Sequence, residues 1–364
     1  MENKDIKHYH RLKLWVPLLE SLFFFFMMIL VVKFDVSIYL ENFVYSLTQN
    51  DTFAFLLFVL IFSITGSLFD FPISYYVDYT LEKKYNFSNQ SIGNWIIDKI
   101  KALIVSTLIT FPILIVFYFV LLEFGKMWWV PVGILLFLFS TLLARIAPTV
   151  IFPIFYKFIP VEDSDLKDDL IVLCQKYNFD IEGVFKFDMS KKTKKANAGF
   201  AGIGKSKRII ISDTLLQNFN KDEIISIFAH ELGHYKLKHL WKLMIINFIL
   251  VFFGLWVSAI VYDHLVLKFG FQSVSQLAAL PMLFIILYVY GILTLPISNL
   301  ISRKYEYEAD KFALSVIENK TDFISALKKL GEINASDTNP NPVIEFLFYD
   351  HPSLSKRIAF AEKF

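Results

Sequence analysis

His230-Glu231-Leu232-Gly233-His234 has the residue types and spacing of a metal-dependent hydrolase. Two histidines four residues apart share one face of a helix and can grip a single zinc ion. Glu231 then lies beside the metal, placed to take a proton from the water that the metal activates. A catalytic zinc takes three protein ligands and keeps a position open, so a third ligand must come from elsewhere in the chain. A histidine six residues after the second one is one solution, but Leu240 stands there. His239 falls about 140° further round a continuous helix than His234 and is expected to point elsewhere, as a surface or interfacial histidine. The other solution is a glutamate from a later helix, and Glu306 and Glu308 are the candidates. Glu306 and Asp310 share a helical face, so Glu306 can ligate while Asp310 accepts the ring N–H of a zinc histidine. Glu308 lies about 200° from Glu306 on a helix and is expected to point away.

The elements that must position these residues belong largely to a membrane. The 364 residues are 55% hydrophobic and 17% aromatic. Six apolar runs, at about 14–33, 53–77, 102–124, 128–150, 241–262 and 280–301, approach or exceed the roughly 20 residues that cross a bilayer as a helix. The first run is followed by Glu41 and Asn42 and by no small-residue cleavage site, so it reads as a retained span. Pro17, Pro72, Pro112, Pro131 and Pro148 punctuate the first four, as membrane helices tolerate when neighbours satisfy the freed carbonyls.

The fold expected is mainly helical. It comprises a four-span membrane block at 1–156, a cytoplasmic α+β segment with a short sheet at 157–240, two further spans at 241–302, and a segment at 303–364 that completes the zinc site. With six spans both termini share one side. Lys4, Lys7, Arg11 and Lys13 of the tail and Lys83, Lys84, Lys99 and Lys101 of a loop fall there, against Lys33, Lys126 and Lys268 opposite. The positive-inside rule makes that side cytoplasmic. The net charge of +2 marks no nucleic-acid partner. Cys174 is the sole cysteine, on the apolar stripe Leu166, Leu170, Leu173, Cys174, Tyr177, and reads as a core residue.

Within 157–240 the pattern predicts an amphipathic helix over Asp163 to Tyr177 and strands at Gly183 to Asp188 and Arg208 to Ser212. Asn220 and Glu223 predict a capping box opening the helix that carries the histidines and runs on into the fifth span. The run Lys191 to Lys195 reads as a solvated face or a contact to anionic lipid. A short helix is expected from about Ser353.

Taken together, several stretches resemble the type I CaaX prenyl endopeptidase family, integral-membrane zinc proteases of the gluzincin class. They are His230 to His234, Ser302-Arg303-x-x-Glu306-x-x-x-Asp310, Asn197-Ala198 followed by Lys207-Arg208-Ile209-Ile210 and Asp213-Thr214-Leu215-Leu216, Leu81-Glu82-Lys83-Lys84-Tyr85-Asn86-Phe87, and Asp350-His351-Pro352 with Arg357. The resemblance implies one Zn2+ per chain held by His230, His234 and Glu306, with Asp310 behind a ligand and Glu231 as general base and then proton donor. It places His351 and Arg357 at the active site, where a donor or cation can stabilise the tetrahedral oxyanion. It puts Asn197 and Ala198 on an edge strand near the cleft, where an extended substrate can add a strand.

The partners implied are the lipid bilayer and a peptide or protein substrate, prenylated or membrane-associated. The family is known for spans enclosing a water-filled chamber, which Glu20, Asp70 and Arg145 could line. Some of its members carry a seventh span; six are expected here. Two other readings use the same residues: a quality-control zinc protease of the HtpX type, which is typically shorter with fewer spans, and a transporter or channel with a structural zinc, which would normally close its metal with a fourth ligand.

Overall fold

The computed structural model describes residues 3–202 and 207–364. Among the described residues six helices are long and apolar enough to cross a membrane: Asp5–Lys33, Asp51–Lys84, Ile92–Met127, Trp129–Phe155, His239–Lys268 and Leu277–Val316. The first four follow α1 (Asn3–Lys33), α3 (Asp51–Ser74) with α4 (Leu81–Lys84), α5 (Ile92–Phe124), and α6 (Trp129–Ile146) with α7 (Phe152–Phe155). The twelve-residue α2 (Val36–Leu47) turns back from α1 after Asp35, whose φ is 54°. Side chains of Asn50 and Ser91 accept the N–H groups of Phe53 and Asn94 and so start α3 and α5. The second and fourth spans each pass through a π turn, at Tyr75–Thr80 and Ala147–Ile151. Pro148 lies inside the latter, where the wider turn accommodates its missing donor. Asp70 and Arg145 are exposed and form no ion pair among the described residues.

The polar half opens with β1 (Phe158–Pro160) and α8 (Ser164–Lys176), whose N-cap Asp163 accepts from Leu166. A four-stranded sheet follows, adding β2 (Gly183–Phe187), β3 (Ala198–Ala201) and β4 (Arg208–Ser212) in the order β1-β2-β4-β3. β2 and β4 run parallel, with Val184 opposite Ile209, while β1 and β3 are antiparallel to their neighbours. Ile209 and Ile211 alternate into the core with Val184, Leu166, Leu170 and Cys174, as a half-buried strand requires. β3 is an edge strand. The residues leading into it are tethered rather than solvated. Lys195 Nζ lies 3.2 Å from Glu82 and 2.8 Å from the Tyr9 hydroxyl, and Lys192 lies 2.8 Å from Asp98. The basic run therefore corrects the expectation of a free face. Glu82 of α4 and Asp98 of α5 pair with Lys195 and Lys192 across roughly a hundred residues of sequence, while Lys191 and Lys194 stay exposed.

After α9 (Asp213–Asn218) comes α10 (Lys221–Lys236), which holds the histidine pair, then α11 (His239–Lys268), α12 (Leu280–Val316), α13 (Lys320–Ile333), α14 (Pro342–Phe348) and α15 (Leu354–Lys363). The capping box at Asn220 and Glu223 is formed. Glu223 also accepts from Ser325 and Lys329, tying α10 to α13. α10 does not continue into the fifth span. Lys238, with φ 57° and ψ 34°, breaks the helix between them. α12 is one helix of 37 residues, about 55 Å long at 1.5 Å per residue. A hydrocarbon core is about 30 Å thick, so its C-terminal third stands outside the membrane, where it packs along α10.

Gly233 sets that packing. A methyl group there would lie 3.1 Å from the Ala309 Cα and 3.2 Å from the Ala309 carbonyl oxygen and the Phe312 Cβ. Gly233→Leu should push the two helices apart, costing about 1–3 kcal/mol from overpacking and lowering both thermal midpoint and metal content in the purified protein. Burial alone would raise the Glu223 carboxyl, but Lys329, Ser325 and the Asn220 N–H outweigh it and hold its pKa below the ordinary value. Its contribution is therefore present above the usual glutamate range and lost as pH falls through the depressed value. Thermal midpoints of the parent and Glu223→Gln should differ at pH 7 and converge towards pH 3.

Candidate active site

α10 presents His230 and His234 on one face, and α12 lays Glu306 across them. The two Nε2 atoms are 3.2 Å apart. Glu306 Oε1 lies 3.1 Å from His234 Nε2, and Oε2 lies 3.4 Å from His230 Nε2. Ligand atoms about 2.0–2.1 Å from a shared tetrahedral metal stand about 3.3–3.4 Å from one another. The observed separations are close to that spacing, with the two histidines meeting different oxygens of the one carboxylate. Glu306 Oε2 is buried and accepts no hydrogen bond, which suits an oxygen meant for a cation and is otherwise unfavourable. The two nitrogens, one oxygen and their spacing fit the metal that the sequence implies. Glu308 does not join them.

The outer nitrogen of His230 is held. Its Nδ1 lies 2.8 Å from Asp310 Oδ1, and Asp310 is fully buried. Arg357, from α15, grips the same carboxylate at both oxygens, Nε to Oδ2 at 2.9 Å and a terminal nitrogen to Oδ1 at 2.6 Å. Its other terminal nitrogen is 3.6 Å from Glu306 Oε2. Burial would discharge this guanidinium, but Asp310, Glu306 and Glu231 hold its pKa above the ordinary value. Asp310 thus engages Nε and one terminal nitrogen of Arg357, while the other terminal nitrogen lies beyond hydrogen-bond distance of Glu306.

His351 comes to the site from the loop before α15. Its Nε2 is 3.4 Å from Glu306 Oε1, and its Nδ1 is 2.8 Å from Asp350. The ring is exposed. The Asp350 contact, then Glu306, raises its pKa against the effect of burial, favouring a ring that can donate. Glu231 is half-buried and has no hydrogen bond or ion pair among the described residues, leaving its carboxylate available. Asn197 is exposed and immediately precedes β3; its carbonyl accepts from Ser212, and Ala198 pairs in register with Ile211. Phe200 of β3 meets Phe228 of α10 edge-on with ring centroids 5.8 Å apart, two residues before His230.

Two features were not legible in the sequence. Asn334, after α13, both donates to and accepts from the Ala196 backbone, fixing the entry to the edge strand. His239 corrects the expectation of a surface histidine, since it is 1% exposed and its Nδ1 is 3.1 Å from His234 Nδ1. The helical angle fails because the turn at Lys238 separates the two residues.

An HExxH helix pinned against a carboxylate-bearing helix, mounted on six apolar helices, defines a membrane-embedded metallopeptidase. Residues 160–364 match the model of peptidase family M48, and residues 2–157 match that of the CAAX prenyl protease N-terminal region with five membrane helices. The chain belongs to peptidase family M48 and is a multi-pass metalloendopeptidase. In its N-terminal part four helices are long and apolar enough to span, with α2 between the first two. It is 32% identical over 324 residues to CAAX prenyl protease 1 of Saccharomyces cerevisiae, covering 83% of this chain and 71% of that one. It is 30% identical over 314 residues to an uncharacterized metalloprotease of Bacillus subtilis, YhfN, covering 84% and 72%. The crystal structure of S. mikatae Ste24p superposes with a TM-score of 0.87 at 26% identity, covering all of this chain and 90% of that one.

Removing Asp310 would strand the buried Arg357 cation, which costs about 3–5 kcal/mol. Asp310→Ala should lower the thermal midpoint sharply, and adding Arg357→Met should recover part of the loss. Equal midpoints in the single and double variants would show that the pair is not the support described.

Proposed function

We propose that the chain is a zinc endopeptidase that cuts near the C-terminus of prenylated, membrane-associated peptides, with its site and both termini on the cytoplasmic side. The observation that carries the zinc assignment is the convergence of His230, His234 and Glu306, whose ligand atoms lie within 4.8 Å of one another, beside an unpaired Glu231. Zinc bound there supplies Lewis acidity, drawing the pKa of water towards about 7 and polarising a carbonyl. Glu231 accepts the proton as water oxygen bonds to the scissile carbon, then passes it to the amine as the C–N bond breaks. His351 donates to the developing oxyanion, Asp310 and Arg357 hold His230 in its ligating orientation, and the substrate lies extended along β3 beside Asn197 and Ala198. The prenyl preference is supported by relatives named as CAAX prenyl proteases. The lysine-rich tail and loop support the cytoplasmic assignment.

A structural zinc in a transporter is disfavoured, because among the described residues the cluster comprises three ligands and no fourth. Purified protein should contain one zinc and cleave a farnesylated CaaX peptide. Glu231→Gln should keep the zinc and lose roughly 10²–10⁴-fold in kcat, the span expected of a general base. His351→Ala should lower kcat with zinc retained. Parental turnover in Glu231→Gln would overturn the mechanism, and equal cleavage of the unprenylated peptide would overturn the substrate assignment.

A further inference from the structure

We infer that His239 and Glu308 form a positioning relay that fixes which ring nitrogen of His234 faces the metal. The inference rests on the zinc reading above and extends it to two residues that touch neither metal nor substrate.

The contact is built by the helix break. Lys238, in the left-handed region, turns the chain so that His239, the first residue of α11, lies back beneath His234. There it is 1% exposed, with its ring stacked on Tyr305 at a centroid distance of 4.4 Å and an interplanar angle of 9°. Its Nδ1 lies 3.1 Å from His234 Nδ1, and its Nε2 lies 3.0 Å from Glu308 Oε2. Tyr305 and Glu308 both come from α12, the helix that supplies the third ligand.

One proton arrangement satisfies all three groups and still allows ligation. An ionised carboxylate can only accept, so His239 Nε2 carries the hydrogen towards Glu308. The neutral ring then offers Nδ1 as an acceptor, and His234 must donate from its own Nδ1. That leaves the His234 Nε2 lone pair free on the side where His230 and Glu306 converge. The opposite tautomer of His234 would point an N–H at the metal position. A ligating histidine ordinarily has its outer nitrogen held by a carboxylate or carbonyl. His230 follows that pattern through Asp310 and Arg357. On the His234 side an imidazole is interposed, because Glu308 projects from a different face of α12 than Glu306. Glu308 is half-buried, and its second oxygen is 3.8 Å from Lys304, so the outer end of the relay reaches solvent. The sequence hides this, since neither residue belongs to the motif and the helical angle sends both away from it.

The test is zinc affinity of metal-stripped, detergent-purified protein by chelator competition, with the metal-free thermal midpoint measured alongside. His239→Phe keeps a buried ring on Tyr305 but has no acceptor. It should bind zinc about 10–100-fold more weakly, as loss of an outer-shell partner does, at an unchanged metal-free midpoint. His239→Asn, whose carboxamide oxygen replaces the Nδ1 acceptor, should recover most of the affinity. Glu308→Ala should weaken binding in the parent and add nothing in the His239→Phe background. Parental affinity in His239→Phe, additive losses in the double variant, or a metal-free midpoint that falls in step with affinity would overturn the relay while leaving the protease reading intact. A parent that takes up no zinc would overturn both.

Discussion

A methyl group on Gly233 would stand 3.1 Å from the Ala309 backbone, and that close approach of α10 to α12 sets every distance in the site. With a side chain between them, Glu306 would stand off the histidine pair and Asp310 would lose His230. Because protein interiors are close-packed, a gap of an ångström is not absorbed locally. The glycine inside the motif is therefore a packing requirement, although it carries no chemistry itself.

The second constraint is charge. Asp310, Glu306 and Arg357 lie within a few ångströms of one another, all buried. Such groups are tolerated in a low-dielectric interior only when each is paired and hydrogen-bonded. Here one cation from α15 faces two carboxylates of α12, leaving one negative charge that a bound cation would offset, and Glu306 Oε2 is buried without a hydrogen bond. Loss of one partner leaves the others unsupported, so the chain's C-terminal helix is as much part of the site as the motif, more than a hundred residues earlier.

The third is the junction with the bilayer. α12 continues as one helix from apolar span to ligand-bearing segment, so the sixth span and Glu306 share a single element. At the other end of the sheet, the Glu82 loop and Tyr9 of α1 hold Lys195, just before the edge strand. Ser88 and Asn89 also bond to the same segment. The edge strand β3 is thereby referenced to the spans as well as to α10.

The sequence by itself determined the apolar spans, the capping box, α8, β2 and β4, because these depend on local period, caps and β-branched content, which neighbouring residues carry. It also determined the histidine pair and the preference for Glu306 over Glu308, since one helix face settles both. What tertiary structure decided was everything that crosses a break or a long interval. The left-handed turn at Lys238 resets the helical phase, so His239 returns to the site that a continuous helix would take it from. Lys195 is neutralised by Glu82, more than a hundred residues distant, where composition suggested only a solvated face. Arg357 is brought to Asp310 from 47 residues further along the chain. In each case the residue's role is fixed by which charge or ring packs against it, and periodicity along one element holds no information about contacts between elements.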